Sequence, residues 1–95
     1  MHKLDDMMEN IYDEIKDAQK YAEMYIIYAN TYPQWAKMYA SMANQELEHE
    51  EHLMSIYREK VKEFKWVSEE DMECWEKALK KASERASRVK LMLNS

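Results

Sequence analysis

Residues 35–56 read WAKMYASMANQELEHEEHLMSI, and their spacing decides the fold. Taken at alternating steps of four and three they give Trp35, Tyr39, Met42, Glu46, His49, Leu53 and Ile56, which share one face of an α-helix. The spacing predicts one buried helix seam, interrupted in its middle by Glu46-Leu47-Glu48-His49. A carboxylate and an imidazole one turn apart on an apolar stripe are expensive to bury unless an ion or a partner group meets them. Metal binding is therefore the first chemistry to test.

Just before this stretch, Asn30-Thr31-Tyr32-Pro33 breaks the helical pattern. Asn suits a helix C-terminus, and Pro33 suits the first turn of a following helix while pushing Tyr32 out of helical geometry. The first helix is expected over about residues 4–30, with Asp5 or Asp6 as its cap, and the second over about 33–64. So short a connection makes the two an antiparallel hairpin. The first helix carries two adjacent apolar tracks. One is Leu4, Met8, Ile11, Ile15, Ala18, Ala22, Tyr25 and Ala29; the other is Met7, Ile11, Glu14, Ala18, Tyr21, Tyr25, Tyr28 and Tyr32. A helix apolar over two stripes touches two neighbours, one of them in another chain.

Lys65-Trp66-Val67-Ser68 ends the second helix, with Ser68 and Asp71 as a capping arrangement for a third helix over about 69–93. That helix has the seam Met72, Trp75, Leu79, Ala82, Ala86, Val89 and Leu93, without an ionisable member, and reads as a packing or assembly helix. The expected fold is all-α: an antiparallel two-helix hairpin plus a third helix, in a single domain over residues 1–95.

The absence of Gly, the single Pro33 and 35% charged against 46% apolar residues agree with long helices and short turns. A chain of 95 residues builds only a small core, so leftover apolar surface is expected to be covered by a homodimer or higher oligomer. The net charge of −5 argues against nucleic acid as a partner. The sequence has no apolar run long enough for a membrane span, and its start lacks a signal-peptide core. Cys74 is the only cysteine, so no internal disulfide forms; the expected location is the cytoplasm or the lumen of a cytoplasmic protein compartment.

The hairpin permits a geometric check. Glu14 precedes Asn30 by 16 residues and Glu46 follows it by 16, so the two share a height along the bundle. Glu14, Glu46 and His49 then offer two carboxylates and one imidazole, ligands suited to Fe(II), Mn(II) or Zn(II). Di-iron carboxylate bundles take a Glu from each of two helices and a Glu-x-x-His pair from each of the other two. The hairpin holds half of that set, and two copies about a two-fold axis supply the whole.

At these residues the sequence resembles the ferritin-like superfamily. The match is Ala43-Asn44-Gln45-Glu46-Leu47-Glu48-His49 followed by Leu53 and Met54, with Glu14 and then Tyr21 on the first helix, over roughly residues 7–60. The short half-bundle layout looks most like the encapsulated ferritins, which assemble their centre between two subunits. The resemblance implies a ferritin-like four-helix bundle formed by dimerisation, with a di-iron centre that oxidises Fe(II) as a ferroxidase in iron handling or storage. Mn or Zn are the substitute metals. It carries Glu14, Glu46 and His49 over as ligands, Tyr21 as a residue behind them and Asp13 as an acidic metal-access position. Lys16 departs from the acidic character expected beside Asp13. A surrounding protein shell is a further implied partner, although Lys90-Leu91-Met92-Leu93-Asn94-Ser95 is not a Gly-containing cargo peptide. Peroxide or oxygen reduction at the same site, as in rubrerythrins, and a metal-free helical interaction module are the alternatives.

Asp17 is the rival ligand from the first helix, and His52, three residues after His49, is a further imidazole. Glu48, Glu50 and Glu51 read as a solvated face, and the dispersed Met residues as core filler. The stripe Tyr21, Tyr25, Tyr28, Tyr32 and Tyr39 reads as packing, with Tyr21 and Tyr39 as the candidate catalytic side chains, donating hydrogen bonds behind the ligands. Cys74, beside Trp75, reads as a partly buried thiol.

Overall fold

The turn expected at Asn30–Pro33 forms around two carbonyls. Tyr28 O accepts from Thr31 N at 3.2 Å and from Tyr32 N at 2.9 Å, which closes helix α1 (His2–Tyr28). Tyr32 O then accepts from Ala36 N at 3.0 Å and opens helix α2 (Pro33–Glu63), with Pro33 in the first helical position, where its missing N–H leaves no partner unmet. No described residue has positive φ, so the turn needs no Gly, and Asn30 closes α1 without entering left-handed geometry. Helix α3 spans Glu69–Leu93. The computed structural model describes residues 2–63 and 69–94. The expected break at Lys65–Ser68, with its Ser68 cap, lies outside the described residues. α1 starts earlier than expected, so Asp5 sits in its first turn rather than capping it.

The described residues are thus an all-α hairpin plus a third helix, drawn out to 54 × 16 × 16 Å. α3 packs chiefly on α1 and touches α2 lightly. Its burial follows the expected seam: Trp75, Ala82, Ala86 and Val89 are buried, and Met72, Leu79 and Leu93 are half-covered. They meet Met8, Ile11, Ile15, Ala18 and Ala22 of α1 and Leu47, Met54 and Tyr57 of α2 in one core. Ala18, Ala22, Ala43 and Ala82 are fully covered; with only a methyl group each, they let the helices approach closely. Tyr12 fixes α3 against α1 by donating its hydroxyl to Ala78 O at 3.1 Å, while the Arg85 guanidinium lies 5.3 Å from its ring. Burial, followed by the charge of Asp5, pushes the Tyr57 phenol up to about 12.

The structure corrects the face of α2. Its buried residues are Ala36, Ala43, Leu47, Glu50, Met54 and Tyr57, each one position beyond the seam expected from Trp35 to Ile56. On that expected seam Trp35 is 49% and Ile56 44% exposed, His49 is exposed, and Tyr39, Met42, Glu46 and Leu53 are half-buried. The packing of α2 on α1, with α3 touching it lightly, buries the later track, about 100° around the helix, and leaves the earlier one open. The buried ionisable residue is accordingly Glu50, at 2% exposure, where a solvated face was expected; Glu48 and Glu51 are exposed as that reading required. Cys74 is exposed rather than partly buried, because it points away from the face that holds Trp75.

Two changes test this packing. Ile15→Ala should lower unfolding free energy by about 2–5 kcal/mol in urea titration, since Ile15 is 1% exposed in the core. Burial, then repulsion from Glu51, holds the Glu50 carboxyl above the usual carboxylate range against the pull of Lys90 and Arg58. A carboxyl raised on folding favours the fold at low pH and loses that advantage as pH rises through its folded value. Glu50→Met should therefore raise the thermal midpoint at pH 7, with the gap closing on acidification toward the unfolded value of 4.5. A variant less stable than the parent at every pH would contradict this.

Candidate metal centre

α1 and α2 bring Glu14, Glu46 and His49 together, as their equal distances from the turn require. One ligand atom from each lies within 4.8 Å of the others. His49 Nδ1 stands 3.5 Å from Glu14 Oε2, too long for a good hydrogen bond. Glu14 Oε2 is buried and has no hydrogen-bond partner, the one such side-chain atom among the described residues. Glu46 is held above the usual carboxylate range, first by the hydrogen bond it shares with Glu14, then by burial and by the Glu14 charge, against the pull of His49. Two carboxylates this close need a proton or a cation between them.

The donor set fits a metal. Two carboxylate oxygens and an imidazole nitrogen suit Fe(II), Mn(II) or Zn(II), and the orphaned Glu14 oxygen points to a cation in place of a missing donor. His49 remains 59% exposed at its side chain and Glu14 27%, so the group opens on the face that α3 leaves uncovered. It is the only such His/Cys/Asp/Glu group among the described residues. Asp13, Asp17 and His52 are exposed and lie outside it. Tyr21 and Tyr39 stack on each other, ring centroids 6.2 Å apart, two helical turns from Glu14 and Glu46 toward the hairpin turn.

A sequence model of the Rubrerythrin family matches residues 6–91. The chain belongs to the Rubrerythrin family. The match covers all three helices and places the chain in the ferritin-like superfamily. Rubrerythrin-type domains bind a di-iron centre, and the family is one of iron-dependent oxidoreductases. Neither a curated protein nor a solved structure gives a significant match. No helix among the described residues is long and apolar enough to cross a membrane.

What the sequence reading missed lies two turns and more from the ligands, toward the hairpin turn. Tyr28, Tyr32 and Trp35 join Tyr21 and Tyr39 in one run of ring contacts, which tyrosine spacing along a single helix does not reveal.

The carboxylate pair predicts an inversion on metal binding. Without metal, Glu14→Gln should unfold at a temperature equal to or above the parent's at pH 7. The raised Glu46 value stabilises the fold at low pH and is lost as pH rises, so this difference should shrink on acidification. With Zn(II) or Fe(II) at about 100 times the dissociation constant, the parent should gain about 2.7 kcal/mol and the variant should not. Equal gains in both would remove Glu14 from the site.

Proposed function

We propose that the chain is the half-site subunit of a di-iron protein that oxidises Fe(II), the centre being completed by Glu14, Glu46 and His49 of a second copy. The observation that carries this reading is the buried, partnerless Glu14 Oε2 beside Glu46 and His49 on a face the chain's own third helix does not cover. Four carboxylates and two imidazoles make the di-iron set, and two copies supply them. Trp35 and Ile56, half-exposed on the same seam, give the second copy apolar surface to cover. The partner is thus the chain itself, and a protein shell is not needed for the chemistry.

Iron, when bound, supplies the one-electron couple that reduces dioxygen or peroxide. The chain does the rest. Glu14 and Glu46 would hold the cations, and their combined negative charge would favour the more highly charged ferric state. His49 would supply the imidazole ligand, and its exposure leaves a route for incoming Fe(II). The hydrogen bond with Glu14, burial and the Glu14 charge hold Glu46 above the usual carboxylate range, so protons would compete with a cation there and binding would weaken as pH falls. The Rubrerythrin match favours a second reading, peroxide reduction at the same ligands.

Stopped-flow oxidation of Fe(II) tests the proposal. The parent should oxidise Fe(II) faster than buffer does, with Glu46→Ala and His49→Ala each about 10- to 100-fold slower. His52→Ala should retain the parent rate. Faster turnover with peroxide than with dioxygen selects the second reading; oxidation at the buffer rate by the folded parent contradicts both.

A further inference from the structure

A cleft opens between α2 and α3, where the two helices touch only lightly. It encloses about 390 Å³, a volume in the range of small-molecule sites. Met54 and Ala86, each 4% exposed, form its floor, and the Glu50 side chain lies beside them at 2%. Ser55 and Arg58 of α2 and Ser83, Ser87 and Lys90 of α3 make its walls. The cleft is distinct from the metal group. Glu50 follows His49 by one residue, about 100° around the helix, and belongs to the buried face of α2 rather than the open one.

The charges in the cleft are only partly matched. Lys90 Nζ lies 3.0 Å from Glu51 Oε1, so those two satisfy each other. Glu50 and Arg58 do not. No hydrogen bond or ion pair reaches either of them from a described residue, although the Arg58 charge acts on Glu50 from within the same cleft. A carboxylate taken almost wholly out of water without a donor costs the fold free energy, and a ligand that brings one removes that cost. What the cleft offers is therefore one unpaired carboxylate at its floor, one unpaired guanidinium in its wall and serine hydroxyls from both helices.

That pattern selects among occupants. Phosphate or another simple anion would meet Arg58 but lie against Glu50 and Glu51. A metal ion would meet Glu50 but lie against Arg58 and Lys90. An apolar molecule would strand both unpaired charges in a drier site. A short molecule that carries an ammonium and a carboxylate meets both, each through a charge-assisted hydrogen bond. We propose that the α2–α3 cleft binds a free amino acid, its ammonium on Glu50 and its carboxylate on Arg58, with the serine hydroxyls left to contact the rest of the molecule. Such a ligand bridges α2 and α3, the least contacted pair of helices, and stabilises the fold by mass action.

Metal-free protein tests this without reference to iron. Each common amino acid is added at millimolar concentration while thermal unfolding is followed, and any that raises the midpoint is titrated by calorimetry. At least one should bind, with one molecule per chain. Its N-acetyl derivative lacks the ammonium and its carboxamide lacks the carboxylate; each should bind about tenfold more weakly or worse, the effect of one lost charge-assisted contact. Arg58 is exposed, so Arg58→Ala should fold as the parent does, and Glu50→Gln keeps the shape of the buried side chain. In Arg58→Ala the amino acid and its carboxamide should bind alike. In Glu50→Gln the amino acid and its N-acetyl derivative should bind alike. Absence of binding by every amino acid to the folded parent overturns the proposal, as does binding that Arg58→Ala leaves unchanged. Inorganic phosphate that binds the parent, is lost in Arg58→Ala and is not displaced by any amino acid would overturn it too, and would make the cleft an anion site.

Discussion

The register of the α1–α2 hairpin is the constraint on which the rest depends. Tyr28 O and Tyr32 O close one helix and open the next within four residues, and Pro33 leaves no slack in that turn. Any shift of a residue would rotate one helix by about 100° against the other and part Glu14 from Glu46. With the register as it is, two carboxylates and an imidazole converge at mid-bundle, and a buried carboxylate oxygen is left without a donor. Such a group is destabilising to the metal-free fold, and a bound cation would supply the partner it lacks.

Each helix of the hairpin presents two adjacent stripes; the helices pack on each other and α3 packs chiefly on α1, which takes one stripe into the core and leaves the other out. Ala82, Ala86 and Val89 of α3 settle against Ile11, Ile15 and Ala18 and complete a core built largely of small and branched side chains. The second stripe keeps the ligands, the aromatic run and Ile56, half-exposed. Structure and the candidate ligands are thereby separated around the hairpin's circumference: one side supplies the stability, and the other carries the residues proposed to hold iron and meet a second copy. Glu50 is the exception, a carboxylate on the structural side, facing a cleft shared with Arg58, Ser83 and Lys90.

The three helices, the turn and the α3 seam were legible because each rests on a local rule: proline at a helix start, a 3.6-residue period, small and apolar residues at one face. Glu14 and Glu46 were legible as a pair because an antiparallel hairpin turns equal distances from the turn into equal heights. The inner face of α2 was not legible. Its outer stripe carries Trp35, Tyr39, Met42, Leu53 and Ile56, whereas the inner stripe mixes Leu47, Met54 and Tyr57 with Ala36, Ala43 and Glu50, so hydrophobicity alone favoured the wrong one by a single position. Only the way α2 settles on α1, with α3 lightly against it, chooses between neighbouring stripes, and that is a tertiary fact. The same fact moved Glu50 indoors and left His49 exposed. The aromatic run was half legible: tyrosine spacing gave the stripe, but the link through Tyr28 to Trp35 joins two helices across the turn.

The central claim is that one chain holds half a metal centre. Native mass spectrometry of protein purified with Fe(II) under exclusion of oxygen tests it most directly, because it reads subunit number and metal count on the same ion. The account predicts assemblies built from dimers with two irons per dimer, and metal-free particles for Glu46→Ala. A folded monomer that carries its own full complement of iron, or a dimer that binds none, would contradict it.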